Sequence, residues 1–196
     1  TIDAKISLEL ITEAAKRIIP EAENLLDIGC GAGNYTVMML LKVPNLNCTL
    51  VDLSKPMLDK AFERVSQNTS KKVEIKQGDI REVELPENHY DIILAGAVLH
   101  HLRDDHDWET TFSKIYKLLR RGGCLMISDL ITQDTELLND YTWERYGDYL
   151  ESIGGKDYRS KVLDYVAKED SPRSMNYQLD LMKKVGFRSV EILHKN

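Results

Sequence analysis

Asp27-Ile28-Gly29-Cys30-Gly31-Ala32-Gly33-Asn34 is the stretch whose reading decides the fold. Before it, Asn24–Ile28 reads as a short apolar strand. After it, Tyr35–Leu41 reads as an apolar helix ended by Pro44. Glycines let a backbone turn sharply and let a ligand approach without a Cβ in the way. A strand that feeds such a turn and then a helix puts free N–H groups at the carboxyl edge of a sheet, where doubly wound folds bind their ligands.

The same alternation continues outward. Leu8, Ile11, Ala15 and Ile18 recur at helical spacing before the first strand, and Pro20 closes that helix. Cys48–Leu53 is a second strand. Ser54 is a suitable N-cap for the helix that follows, with Pro56 in its first turn and Met57, Leu58, Ala61, Phe62 and Val65 on its buried face. Val73–Gln77 is a third strand, and Tyr90–Val98 a central one covered on both faces. Asp104 or Asp105 caps a helix with the stripe Trp108, Phe112, Ile115 and Leu119, which Gly122-Gly123 terminate before a fifth strand, Leu125–Ile131. Strand–helix repetition means parallel strands joined by right-handed crossovers, a three-layer α/β/α sheet. Residues 132–170 then look helical and polar and read as an insert. A late helix carries Met175, Leu179, Met182 and Val185 and ends at Gly186, and Arg188–His194 reads as a sixth strand.

The bulk properties narrow the function. The 196 residues, 42% hydrophobic and 30% charged, suit one globular domain over 1–196. The net charge of −6 and the lack of any basic run longer than a pair argue against a nucleic-acid partner. No apolar run approaches the ~20 residues that cross a bilayer, and the first ten residues do not resemble a signal peptide. Cys30, Cys48 and Cys124 are far apart and odd in number, as expected for reduced thiols in a cytoplasmic protein.

Charge then selects the ligand. A dinucleotide fingerprint is G-x-G-x-x-G. Here the third glycine comes one place early, and Asp27 precedes the first. A carboxylate there repels a pyrophosphate and attracts an ammonium group, which disfavours a nicotinamide dehydrogenase. S-adenosylmethionine carries such an ammonium and no phosphate. Asp52, at the end of the second strand, is placed to accept from ribose hydroxyls. Asp79 is placed to accept from an adenine amino group, with Ile80 packed on the ring.

These segments together resemble the class I S-adenosylmethionine-dependent methyltransferases, in their small-molecule branch. The glycine segment reads D-x-G-x-G-x-G. The run Val51–Leu58, Gly78-Asp79-Ile80, Tyr90–Leu102 and Leu118–Gly123 resemble the family's later motifs. The resemblance implies S-adenosylmethionine as cofactor, a small-molecule acceptor, and cofactor contacts from Asp27, Gly29, Gly31, Asp52, Leu53, Met57, Asp79, Ile80 and Ala95. Cys30 joins them as a small side chain inside the turn, not as a nucleophile.

His100 and His101 lie just past the fourth strand, near where the transferred methyl is expected. Either is suited to take a proton from an acceptor, and the alternative is that they cap the strand or line the pocket. With Asp104, Asp105, His106 and Asp107 they look metal-like, but the acids stand where a helix begins, and capping is the expectation; no metal is expected. Most of the nine tyrosines, with Trp143, fall between 141 and 177, which suits a lid over a small acceptor. Two other readings compete: a cofactor-binding module without catalysis, and a cofactor-modifying enzyme similar to carboxy-S-adenosylmethionine synthase. The late helix lacks the arginine expected to hold the added carboxylate of that enzyme's product. The acceptor and the oligomeric state are not legible. Because the family places a seventh strand between the fifth and sixth, the sequence is expected to continue for about ten residues, and the residues before Ile6 to be incomplete.

Overall fold

A computed structural model describes residues 4–195, so the expectations about the first residues and about any continuation fall outside it. The element order is α1 (Ala4–Ile18), β1 (Asn24–Ile28), α2 (Asn34–Lys42), β2 (Asn47–Asp52), α3 (Lys55–Ser66), β3 (Val73–Gln77), β4 (Tyr90–Gly96), a 3-10 turn (Leu99–His101), α4 (Asp105–Leu118), β5 (Leu119–Ser128), α5 (Glu136–Glu169) and α6 (Met175–Val185). The five strands form one parallel sheet in the order β3-β2-β1-β4-β5.

Alternation along the strands makes the three layers. Leu25, Cys48, Leu50, Ile92 and Leu94 pack with Ile11, Met39, Leu40, Leu58, Ala61 and Val65 of α1, α2 and α3. Their neighbours Leu26, Ile28, Val51, Ile93 and Ala95 face the other way, onto Trp108, Phe112, Ile115 and Leu181 of α4 and α6. Strand order reverses between β1 and β4, and that switch point opens a crevice at the carboxyl edge.

Three boundaries differ from the sequence reading. Gly122 and Gly123 do not end α4. The N–H groups of Asn88 and His89 take the carbonyls of Lys117 and Leu118, so the helix stops at Leu118. The glycines lie within β5, where its pairing with β4 slips between Tyr90 and Ile92. β4 ends at Gly96 rather than Val98, and Ala97 adopts a left-handed backbone (φ 53°). The expected sixth strand is absent from the described residues. Arg188–His194 makes no ladder, and β5, paired only with β4, is the sheet's edge. A strand needs a ladder partner to satisfy its backbone, and among the described residues no strand is paired with this segment.

α5 is a hairpin. Gly155 (φ 79°, ψ 178°) breaks it into arms at 136–154 and 156–169. The second arm folds back so closely that Arg159 pairs with Asp148 (3.0 Å) and Glu151 (3.1 Å), and a Cβ on Gly147 would stand 2.8 Å from Arg159 Nε. That backbone conformation is open essentially to glycine alone. Gly155→Ala should therefore cost about 1–3 kcal/mol, read as a lower urea midpoint; an unchanged midpoint would show that the break does not depend on glycine.

Candidate active site

The loop from Gly29 to Gly33 is pinned on both sides. A Cβ on Gly29 would lie 2.4 Å from Val98 Cγ2, and one on Gly33 3.1 Å from Val65 and 3.3 Å from Ala61. Both residues have positive φ (63° and 77°). Gly31, at the crest, faces open space. The Cys30 N–H donates to the Val51 carbonyl (3.0 Å), and the Gly33 N–H to the Cys30 carbonyl (2.8 Å), so the loop is a fixed turn.

Asp52 closes the site. Its Oδ2 accepts from the Gly31 N–H and its Oδ1 from the Ser54 N–H, each at 2.8 Å. Each oxygen retains acceptor capacity, so the carboxylate is oriented yet able to receive a ribose diol. Beside it Leu53 and Met57 are exposed, at 68% and 46%. Exposed apolar side chains next to an aimed carboxylate fit a nucleoside.

The other expected residues divide. Asp27 lies beneath the loop, 1% exposed, and accepts from Thr36 Oγ1 at 2.6 Å. Burial raises its carboxyl to about 7 against the opposing Thr36 hydrogen bonds, with the Asp52 charge adding to the rise. It shapes the loop from below rather than lining open space. Asp79 is grasped by Arg81, whose Nε meets Oδ1 at 3.0 Å and Nη2 meets Oδ2 at 2.7 Å. That hydrogen-bonded guanidinium lowers the Asp79 carboxyl, and Arg81 also holds Asp107 at 2.6 Å. Ile80 and Ala95 are buried in the core under α4. Cys30 points into the opposite core. Burial pushes the thiols of Cys48 and Cys124 up to about 12 and that of Cys30 higher still, so none is a thiolate nucleophile.

Past β4, His100 is buried and His101 half-exposed. The Asp129 carboxylate, at the end of β5, accepts from the backbone N–H of Leu99 (2.7 Å) and His100 (3.2 Å) and pairs with His100 Nδ1. Burial alone would push the His100 ring down, but the Asp129 hydrogen bond and the charges of Asp129 and Asp170 raise it above an ordinary histidine. Asp104 caps α4 by accepting from the Asp107 N–H (2.9 Å), and Asp105 pairs with Arg173 (2.8 Å). The acids after the histidines thus serve the helix and its neighbours, as expected. The sequence reading missed Asp129 and Asp170. Asp129 could have been suspected as one more acid at a strand end, whereas nothing local marks Asp170.

A cavity of about 1410 Å³ opens beside these groups. At its carboxyl end it is lined by Tyr35, Ala97, His100, Asp129, Tyr141, Tyr146 and Tyr149. The rest is a trough along the free edge of β5, walled by α1 and residues 188–195 and away from the glycine loop.

A parallel sheet with a glycine turn after its first strand and an aimed acid after its second defines a nucleoside-binding α/β domain. Residues 25–123 match the family described as methyltransferase domain, and the chain belongs to that family. It is 31% identical over 127 residues to malonyl-[acyl-carrier protein] O-methyltransferase of Priestia megaterium, covering 65% of this chain and 44% of the relative. The chain thus spans less than half the length of that relative. It is 26% identical over 182 residues to carboxy-S-adenosyl-L-methionine synthase of Vibrio atlanticus, covering 91% of this chain and 74% of that one. Its fold matches the phosphoethanolamine N-methyltransferase 2 of Haemonchus contortus, solved with S-adenosylhomocysteine, at TM-score 0.65 and 23% identity, over 93% of this chain and 38% of that one. Family membership implies S-adenosylmethionine as cofactor, and Gly31, Asp52, Leu53 and Met57 are the groups beside the loop that could hold it. No helix among the described residues is long and apolar enough to cross a membrane.

The buried Asp27 gives a pH prediction. Its folded pKa, about 7, lies above the ordinary 3.8. Between those values the folded chain holds a proton that the unfolded chain has released, so this group's contribution falls as pH rises through the window and is most unfavourable above it. Asp27→Asn, which still accepts from Thr36, should therefore raise the melting temperature of the cofactor-free protein at about pH 8. The difference should vanish toward pH 4. An equal shift at both pH values would contradict this.

Proposed function

We propose that the protein transfers the methyl group of S-adenosylmethionine to a small-molecule acceptor held at the carboxyl end of the cavity, between β4, β5 and the first arm of α5. The observation that carries this reading is the shared wall: His100 and Asp129, fixed at the sheet edge, face the same space as the tyrosines of α5. The cofactor's sulfonium supplies an electrophilic methyl. The chain's own part is to hold an acceptor atom in line and to exclude water.

Asp52 and the loop bind the nucleoside. Asp27, below the loop, supplies negative charge on the side where an ammonium group is expected. Asp79 serves the adenine end with Arg81 as its partner, while Ile80 and Ala95 support the site from the core. His100, which lines this space, or its neighbour His101 is the polar group that meets the acceptor. Residues 132–170 form the lid, with Tyr141, Tyr146, Tyr149 and Trp143 giving amphipathic rings that suit a small organic acceptor. Nothing in the charge of this wall calls for a nucleic acid.

The match to carboxy-S-adenosyl-L-methionine synthase favours a second reading, modification of the cofactor itself. The side chains of α6 speak against it. Lys184 pairs outward with Glu109 at 2.7 Å, and Lys183 lies 3.8 Å from Asp180; both lysines are more than half exposed and away from the loop.

Calorimetry with S-adenosylhomocysteine tests the cofactor half: Asp52→Ala should weaken binding by about 1.5–3 kcal/mol, the loss for a charge-assisted hydrogen bond. Hydrogen exchange tests the acceptor half. Amides in 132–170 should slow further when an acceptor joins the cofactor product. Full affinity in the variant, or no added protection in that segment, would count against the respective half.

A further inference from the structure

We infer that His100, His101 and Asp170 form a binding site for one divalent transition-metal ion of the zinc type. The site joins the 3-10 turn after β4 to the residue that ends the second arm of α5. One ring nitrogen of His100, one of His101 and a carboxylate oxygen of Asp170 all lie within 4.8 Å of one another. Asp170 Oδ1 is 2.9 Å from His101 Nδ1, and Oδ2 is 3.8 Å from His100 Nε2.

Three observations turn this proximity into a site. First, Asp170 needs a cation. Its side chain is 3% exposed, and Oδ1 is buried with no hydrogen-bond donor, because the His101 contact lacks hydrogen-bond geometry. A buried carboxylate oxygen without a partner is costly. Arg103 is engaged with the Lys168 carbonyl and Glu169, and Nη2 of Arg173 with Asp105, while Nε of Arg173 is buried without a partner and makes no hydrogen bond to Asp170.

Second, His100 is oriented as a ligand. Asp129 can only accept, so the His100 nitrogen it holds, Nδ1, carries the proton. In the neutral ring the lone pair then sits on Nε2, directed at the Asp170 carboxylate. Nε2 and Asp170 Oδ2 stand 3.8 Å apart, too far for a direct hydrogen bond and close enough for one ion to bridge. A carboxylate behind a histidine that presents its other nitrogen is the usual outer shell of a metal-bound imidazole.

Third, the backbone is fixed and one side is open. The Ser171 N–H donates to the His100 carbonyl at 2.7 Å, tying the end of α5 to the turn. His101 is 47% exposed, so an ion here would keep coordination positions free toward solvent. Ligands of one zinc-type ion lie at most about 4.2 Å apart, twice the bond length, and the Asp170 contacts at 2.9 and 3.8 Å are within that span. Two imidazoles and one carboxylate suit zinc, iron, nickel or copper rather than magnesium or calcium, which prefer oxygen.

Ion binding does not depend on the acceptor assignment, and cofactor-product affinity reports on that reading separately. The test uses the full chain, stripped with a chelator, titrated with Zn²⁺ by calorimetry and with Co²⁺ by absorption. One ion per chain is expected, with cobalt bands of nitrogen and oxygen ligation and no thiolate charge-transfer band. His101→Gln and Asp170→Asn should each weaken binding by about tenfold or more, and Asp129→Asn, which leaves the three ligands in place, by about 10–100-fold. His106→Gln should change nothing. Because Asp170→Asn also touches the end of α5, the half-exposed His101→Gln decides if that variant unfolds. Absence of saturable binding, a thiolate band, or unchanged affinity in His101→Gln would overturn the site.

Discussion

Between β1 and α2 the chain has five residues in which to leave the sheet and enter a helix, and no room for a side chain at the first or the last of them. Val98 presses on Gly29 from the end of β4, and Ala61 and Val65 press on Gly33 from α3. Those contacts place the loop directly over the carboxyl edge. They also tie the start of the loop to the residues after β4 and its end to α3. A side chain at either glycine would have to displace a packed neighbour and adopt a left-handed backbone. The crest at Gly31 is then the part of the turn left free, and Asp52 is held to it by a backbone hydrogen bond. The site is thus a consequence of how tightly the sheet packs around one turn.

Acids at the ends of successive strands take different roles because their depths differ. Asp27 is sunk beneath the loop and holds its proton more tightly than a surface carboxylate. Asp52 is partly open and oriented by two N–H groups. Asp79 is countered by Arg81. On the other side of the switch point Asp129 fixes the His100 turn. One edge therefore carries a half built on backbone donors, proposed for the cofactor, and a half built on histidine and carboxylate, proposed for the acceptor, with α5 above the second.

Most of this frame was legible because it is local. The glycine turn, the strand ends and the amphipathic faces of α1, α4 and α6 each lie within a dozen residues of sequence, where periodicity and capping speak directly; on α3, Leu58, Ala61 and Val65 are buried as read, but Met57 and Phe62 are exposed. The failures are long-range. Gly122-Gly123 look like a helix stop, yet Asn88 and His89 end α4 first, from thirty residues away in the chain. Arg188–His194 has the pattern of a strand, but pairing is decided by a neighbour that pattern cannot supply. Asp170 meets His100 only because Gly155 turns α5 back on itself, and no spacing rule connects a glycine in a helix to a histidine past a strand.

The most direct test of the account is a titration with S-adenosylhomocysteine followed by amide resonances. The loop account predicts that the Gly31 and Ser54 amides, both hydrogen-bonded to Asp52, shift together and saturate, while Gly122 and Gly123 in the β5 bulge stay still. Saturable binding that leaves Gly31 and Ser54 unmoved, or that moves the bulge instead, would contradict it.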